Sequence, residues 1–519
     1  MSVCFPEKYE KYLDWNMYQI YPRSFNDSNG DGIGDIQGII EKLDYLHDLG
    51  INAIWLSPVF MSPGVDNGYD VSDYYAINPE FGTNEDMDRL IHETHARNMK
   101  LILDFVPNHT STEHEWFKKS RNPKDPEFNK YKDFYYWYDE KPNDWGSTFG
   151  GNAWQFDKDR GQYYLHTYAV EQADLNWNNK TVRDEMAKVV DYWVDKGIDG
   201  FRIDVICQIS KTMDGFNGFG PHLHEYIRGL FDREKTKDIF TVGEIWTSDV
   251  NEYIKMTGAD RHELTTAFQF DIMFTDSMKS ARDVMMKWQR LISENGLLHM
   301  LVTDNHDNVR RISRIADDGQ LRYESATCLA TMMYMLKGMP LIYQGQEFGT
   351  TNPHYDSIDD FNDVDTLNKY RDNIDEANRV SRDNARRPIA WNADRNSNFG
   401  FTTGKPWITL QSNGDSVNFE SDIKSDKSVY RFYQKLLELR KNCPELRYGK
   451  LEVISDDGNY VVFKRTYDNK SILVVCNFDD NLTINLPKNC GGLLICNNPK
   501  RRDSSSDFSP FEAAVFRMN

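Results

Sequence analysis

Long apolar runs are missing from this 519-residue sequence. None reaches the roughly eighteen residues that a membrane-spanning helix needs, so no membrane partner is expected. Cysteine is scarce and carries no pattern. Seven residues, an odd number without a CxxC spacing, spell neither a disulfide framework nor a zinc site. Positive charge is also in deficit: 61 Lys and Arg face 81 Asp and Glu, a net charge of −20 that excludes nucleic acid as a natural partner. The opening stretch MSVCFPEKYEKYLDW has no apolar core of a secretory signal, so a cytoplasmic location is expected. Internal repeats and low-complexity tracts are absent.

What is abundant is aromatic side chain, 13% of the chain with twelve Trp and twenty-eight Tyr. Flat rings pack against the apolar faces of sugar rings, so a neutral carbohydrate fits an acidic, aromatic-rich protein better than a charged ligand does. The length suits two or three domains. Nothing in it specifies an oligomer, and a monomer or weak homo-oligomer is expected.

Short apolar runs with polar ends recur eight times, among them NAIWLSPVF (52–60), KLILDFVPNH (100–109), GIDGFRIDV (197–205), AFQFDIMF (267–274) and HMLVTDNHD (299–307). Helical patterns such as VRDEMAKVVDYWVDKG (182–197) separate most of them. Eightfold strand–helix alternation predicts a (β/α)8 TIM barrel over 1–109 and 177–446. One connection is too long for a loop, so residues 110–176 are read as a subdomain inserted after strand three, at the barrel mouth. From 447 to 519 the pattern alternates like strands joined by turns, predicting a C-terminal antiparallel β-sandwich.

Barrel chemistry sits at the C-terminal strand ends, and polar residues gather there: His109, Arg202, Asp204, Glu244, His306 and Asp307. A single acid at a strand end is ordinarily a solvated residue or helix cap; several at equivalent ends of separate strands point to function. Cleaving a glycosidic bond with retention takes a carboxylate nucleophile and a second carboxyl close by as acid and then base. Asp204 and Glu244 end adjacent strands and fit those roles, with Asp307 across the mouth. Arg202 lies two residues before Asp204, on the same face, where it favours the ionised carboxylate.

DFVPNH (104–109), GFRIDV (200–205), GEIW (243–246) and TDNHD (303–307) together resemble the four ordered regions of the α-amylase family of glycoside hydrolases. The resemblance implies Asp204 as nucleophile, Glu244 as general acid/base and Asp307 as the carboxylate that stabilises the distorted sugar. Arg202, His109 and His306 would line the same glucose subsite. NGYDVSDY (67–74), ADLNW (173–177) and SRDNAR (381–386) narrow it to the oligo-1,6-glucosidase group of α-glucosidases. That group implies a closed pocket and exo-action, with Asp70 and Arg386 holding the terminal glucose and Tyr69, Phe149 and Tyr168 forming the wall. A Val after the nucleophile accompanies α-1,6 cleavage in this group, and Val205 stands there. The expected substrates are isomaltose and short isomalto-oligosaccharides, cleaved without an organic cofactor.

Several positions depart from the group's pattern: GEIWTS, where a small or sulfur-containing residue usually follows the Glu, Arg311 in DNHDNVRRISR, Gln346 in QGQEFG, and Arg387, Ile389 and Ala390 after Arg386. DNHDN also occurs in sucrose isomerases, which makes isomerisation, or action on sucrose and α-1,4-glucosides, the alternative. The Arg-rich stretch those isomerases carry near strand six is absent from QFDIMFTDSMKSARD. A non-catalytic relative is the remote alternative, disfavoured because all three acids are present.

DSNGDGIGD (27–35) opens like a calcium loop, with Asp27, Asn29 and Asp31 at alternate positions and Gly32 at the turn. It lacks the closing Glu of an EF-hand, since Gly38 stands at position twelve. The resemblance implies a single structural ion here, calcium or less ideally magnesium, held by Asp27, Asn29, Asp31, the Ile33 carbonyl and Asp35.

Overall fold

Strands buried on both faces read as unbroken apolar runs, and these runs form the barrel. The computed structural model describes residues 7–215 and 217–519. Its barrel strands are β1 (Met17–Ile20), β2 (Ala53–Leu56), β3 (Lys100–Phe105), β4 (Gly200–Ile203), β5 (Phe240–Gly243), β6 (Thr266–Ala267), β7 (Met300–Leu301) and β8 (Met339–Tyr343). Parallel ladders run without a break in the order β6-β5-β4-β3-β2-β1-β8-β7. At the remaining seam, between β6 and β7, the Thr266 hydroxyl donates to the Leu298 carbonyl at 2.8 Å.

The helix Lys180–Lys196 shows how the outer layer is specified. Asn179 caps it by accepting from the Thr181 amide, and Gly197 ends it in the left-handed region at φ 101°. Between the caps, Val182, Met186, Val189, Val190 and Trp193 recur at helical spacing and are all buried. No helix among the described residues is long and apolar enough to cross a membrane.

Strand six is shorter than the run 267–274 suggests. The Phe268 amide makes the last ladder-like bond, to the Gly243 carbonyl, and the chain then turns through a 3-10 segment, Asp271–Phe274. Its aromatic residues face the barrel mouth: Phe268 stacks on Phe270, and Phe274 is exposed.

Between β3 and the helix at Lys180, residues 109–174 form a two-stranded ribbon (His109–Ser111 with Gln172–Asp174) and a small three-stranded antiparallel sheet. After the barrel come β9 (Lys450–Ser455), β10 (Tyr460–Tyr467), β11 (Lys470–Asn477), β12 (Cys490–Cys496) and β13 (Ala513–Met518). They make one antiparallel sheet in the order β9-β10-β11-β13-β12. One face, with Val461, Phe463, Val474 and Val515, joins the barrel's core. The other, with Val462, Leu473, Val475 and Phe516, is covered by Ile484 and Phe508 beside a two-stranded ribbon. The second layer of the expected sandwich is therefore thin, because the first layer already spends one face on the barrel.

Candidate active site

The β4 and β5 ladders extend one residue past the strand ends. Asp204 N–H donates to the Phe105 carbonyl at 2.9 Å, and Glu244 N–H to the Ile203 carbonyl at 2.8 Å. Both carboxylates are thereby fixed at one level of the mouth. Arg202, 1% exposed, lies under them: Nη1 bonds Asp204 and Asp104 at 2.8 Å each, and Nη2 bonds Glu244 Oε2. One buried guanidinium thus holds three carboxylates. Burial pushes the Asp204 carboxyl up, the Arg202 guanidinium opposes the rise, and Glu244 adds to it.

Val205, directly after Asp204, has φ 33°, a left-handed conformation that is rare for a β-branched residue. The turn brings its amide to 3.3 Å from Glu244 Oε2 and its side chain to the cavity wall. Backbone strain here serves to place both groups.

Asp307 is held from three sides. Arg386 Nη2 reaches it at 2.8 Å, His306 Nε2 at 3.1 Å and Arg382 Nη1 at 3.5 Å. Burial alone would push this carboxyl up, yet His306, Arg386 and Arg382 together hold it well below the usual range. His306 stacks on Tyr69 with centroids 5.4 Å apart, and burial pushes its imidazole down to about 3 although Asp307 opposes this. Burial likewise takes His109 down to about 4.

These groups surround a cavity of about 350 Å³. Asp204, Glu244, Asp307, Tyr69, His109, Phe149, Tyr168 and Val205 line it. Arg202 and His306 lie just beneath. Two expected residues are not on the wall. Asp70, 0% exposed, turns back on its own loop and accepts from Ser62 Oγ, the Val65 amide and the Asp66 amide. Arg386, also 0% exposed, donates to the His306 carbonyl at 2.9 Å as well as to Asp307. The assignment of both to the glucose pocket is corrected: they stand one layer behind it.

Asp66 and Arg382 occupy the wall instead, 2.9 Å apart. Asp363 holds the far side of Arg382, and Gln172 Nε2 donates to Asp66 Oδ2 at 3.1 Å. Burial pushes Asp66 up to about 6, although Arg382 and Arg386 oppose it. The signal was present in the sequence, since both residues lie in the same motifs, VDNGYD and SRDNAR. Choosing between the acids or arginines of one motif required knowing which side chain the backbone turns inward.

In the 27–35 loop, Asp27 accepts from the Asn29, Gly30 and Gly32 amides, Asn29 from the Asp31 amide, and Asp31 from the Ile33 amide. Asp35 caps the following helix through Gly38 N–H and accepts from Ser28. The Thr402 hydroxyl also bonds Asp27. Every donor offered is a hard oxygen, which suits calcium. No group of three or more His, Cys, Asp or Glu among the described residues converges as a metal site. An ion here would therefore draw on the Asn29 amide oxygen and the Ile33 carbonyl beside the carboxylates.

Two carboxyls sharing an arginine, with a third across a parallel-barrel mouth, define a site for glycosidic bond cleavage. Residues 19–449 match the alpha-amylase catalytic domain, and the chain belongs to the alpha-amylase family of glycoside hydrolases. It is 42% identical to an oligo-1,6-glucosidase of Bacillus cereus, over 97% of this chain and 98% of that protein. It is 39% identical to a trehalose-6-phosphate hydrolase of Bacillus subtilis (strain 168), over 97% of each. The solved trehalulose synthase of Pseudomonas mesoacidophila MX-45 superposes with a TM-score of 0.92 at 36% identity, covering 98% of this chain and 99% of that one.

Proposed function

We propose that this protein is a retaining, exo-acting α-glucosidase that releases terminal α-1,6-linked glucose from isomaltose and short isomalto-oligosaccharides. The observation carrying it is the cavity itself: a small pocket with the catalytic carboxyls on one wall and the Asp66–Arg382 pair on another. A chain end enters such a pocket, whereas a chain interior needs an open groove.

In the reaction, an Asp204 oxygen bonds C1 of the glucose as the C1–O bond to the leaving group breaks, and Glu244 gives its proton to the departing oxygen. Glu244 then takes a proton from water as that water attacks C1 and frees Asp204. Arg202 favours the ionised nucleophile against its burial, and ionised Asp307 faces the positive charge that develops on the sugar ring.

Val205 supports the α-1,6 linkage, as does the likeness to oligo-1,6-glucosidases. Hydrolysis of a phosphorylated disaccharide is disfavoured. Among the described lining residues the one cation is Arg382, already held by Asp66 and Asp363. Isomerisation of sucrose is the second reading, favoured by the likeness to trehalulose synthase. Product analysis with isomaltose, maltose, sucrose and trehalose tests the assignment. Glucose from isomaltose with little from maltose is expected; sucrose converted to a new disaccharide would overturn it. We also place a structural calcium in the 27–35 loop and the enzyme in the cytoplasm, where the six described cysteines, all free, stay reduced.

A further inference from the structure

The acid/base strand ends in GEIWTS, and its Trp246 is more exposed than any other Trp of the protein. Trp55, Trp177, Trp193 and Trp288 are fully buried, whereas Trp246 is 44% exposed. It lines the catalytic cavity, and its indole N–H donates to Glu244 Oε1 at 2.8 Å. Glu244 is thus gripped from both sides, Oε2 by Arg202 and the Val205 amide, Oε1 by the indole.

The ring does not stand alone. It stacks on Phe270 with centroids 4.7 Å apart and planes inclined by 28°. Phe274, 69% exposed, lies 6.3 Å away. Two side chains fix this arrangement. Asp271 accepts from Ser248 Oγ at 2.7 Å and from Trp288 Nε1 at 3.1 Å, tying the loop after Trp246 to the loop after β6. Arg311, 1% exposed, donates to the Met273 and Thr275 carbonyls at 3.2 and 3.0 Å, pinning the residues on either side of Phe274. Trp246 and Phe274 are therefore held rigid and exposed, with buried Phe270 backing the indole, beside the group that protonates the leaving oxygen. Its exposure costs apolar hydration unless a ligand covers it.

We propose that Trp246 is the residue that reads the leaving group. Its N–H positions the Glu244 carboxyl, and its ring, backed by Phe270 and flanked by Phe274, is the surface on which the leaving group lies. The enzyme accordingly favours α-glucosides whose leaving alcohol carries a flat apolar face, aromatic alcohols ahead of a second pyranose ring. This rests on the roles assigned to Asp204 and Glu244 and is independent of the α-1,6 linkage.

Three synthetic substrates separate the two roles. Benzyl and ethyl α-glucosides both need the proton and differ in the flat ring; 4-nitrophenyl α-glucoside departs without protonation. Trp246→Phe keeps a ring and removes the N–H. We expect kcat/KM to fall about tenfold for benzyl and ethyl glucosides alike, the scale of one hydrogen bond to a carboxyl, with 4-nitrophenyl glucoside spared. Trp246→Ala should also lower the benzyl-to-ethyl ratio by about tenfold. Inhibition by free glucose, which needs only the pocket below, should stay unchanged in both variants. The proposal is overturned if Trp246→Phe slows all three substrates equally or none, if Trp246→Ala keeps the benzyl preference, or if either variant loses glucose binding. A wild-type enzyme inactive on isomaltose would sink the linkage assignment while leaving these comparisons intact.

Discussion

Asp66 and Arg382, 316 residues apart in the chain, meet at 2.9 Å on the wall of the catalytic cavity. The pair joins the loop after β2 to the segment after β8, and Asp363 holds Arg382 from behind. A carboxylate and a guanidinium side by side offer a sugar both acceptors and donors, with neither left as an unpaired buried charge when the pocket is empty.

Asp66→Asn should lower kcat/KM by about 10–100-fold, the worth of a hydrogen bond to a charged group, and leave the melting temperature nearly unchanged. Asp70→Ala should behave differently. It strips the acceptor from three donors, one of them fully buried, so the melting temperature falls together with activity. Thermal unfolding of both variants decides this; a stable Asp70→Ala with lost glucose binding would return Asp70 to the pocket.

The acid side of the activity profile should reflect Asp66. Its ionised form is the better sugar acceptor, and with the carboxyl raised to about 6 by burial, kcat/KM should decline as pH falls through that value. Arg382 opposes the rise, so Arg382→Ala should move this limb to higher pH, on top of a lower plateau. A limb that stays put or moves down in that variant would assign it to another group.

Asp204→Asn removes the carboxylate we propose as nucleophile while keeping the side chain's shape. We expect kcat to drop by several orders of magnitude on every substrate, including 4-nitrophenyl α-glucoside, with the melting temperature close to wild type. Turnover within tenfold of wild type would mean the covalent step runs through another residue.

Val205→Ala should shift selectivity toward maltose, because the side chain sits on the cavity wall at 4% exposure beside the nucleophile. Pocket changes of this size are worth about 1–3 kcal/mol, so the isomaltose-to-maltose ratio of kcat/KM should fall by at least tenfold. An unchanged ratio would remove Val205 as the linkage determinant.

Chelation should lower the melting temperature, and added calcium should restore it, with catalysis on the remaining folded enzyme unaffected. The 27–35 loop packs on the segment near Thr402, through the Asp27 amide to Phe401 and the Thr402 hydroxyl to Asp27, so loosening it loosens both. Asp31→Ala should abolish the response to chelator. A melting temperature indifferent to chelator and calcium in the wild-type enzyme would dismiss the ion.

The barrel was legible because its code is local: an apolar run, a polar end, a capped amphipathic helix, repeated. The three acids could be read from the same rule, since a residue that ends a barrel strand must face the mouth. Strand six shows where such reading stops. AFQFDIMF has the composition of a strand, but only Thr266 and Ala267 pair in the ladder, and the rest turns away to present rings at the mouth. The stretch GEIWTS and Arg311 were visible only as departures from a pattern. Their purpose depends on what the neighbouring loop brings to them.

By itself the sequence determined the barrel, its insertion, the C-terminal strands and the strand-end carboxyls, because each follows from periodicity within a few consecutive residues. The tertiary structure alone decided which of Asp66 and Asp70, and which of Arg382 and Arg386, touch the cavity. These residues are four apart in turns and a single 3-10 turn, too short for any period to fix the direction of a side chain. There, direction is set by contacts from distant segments: Ser62 turns Asp70 inward, the His306 carbonyl holds Arg386 beneath the wall, and Asp363 steadies Arg382 on it.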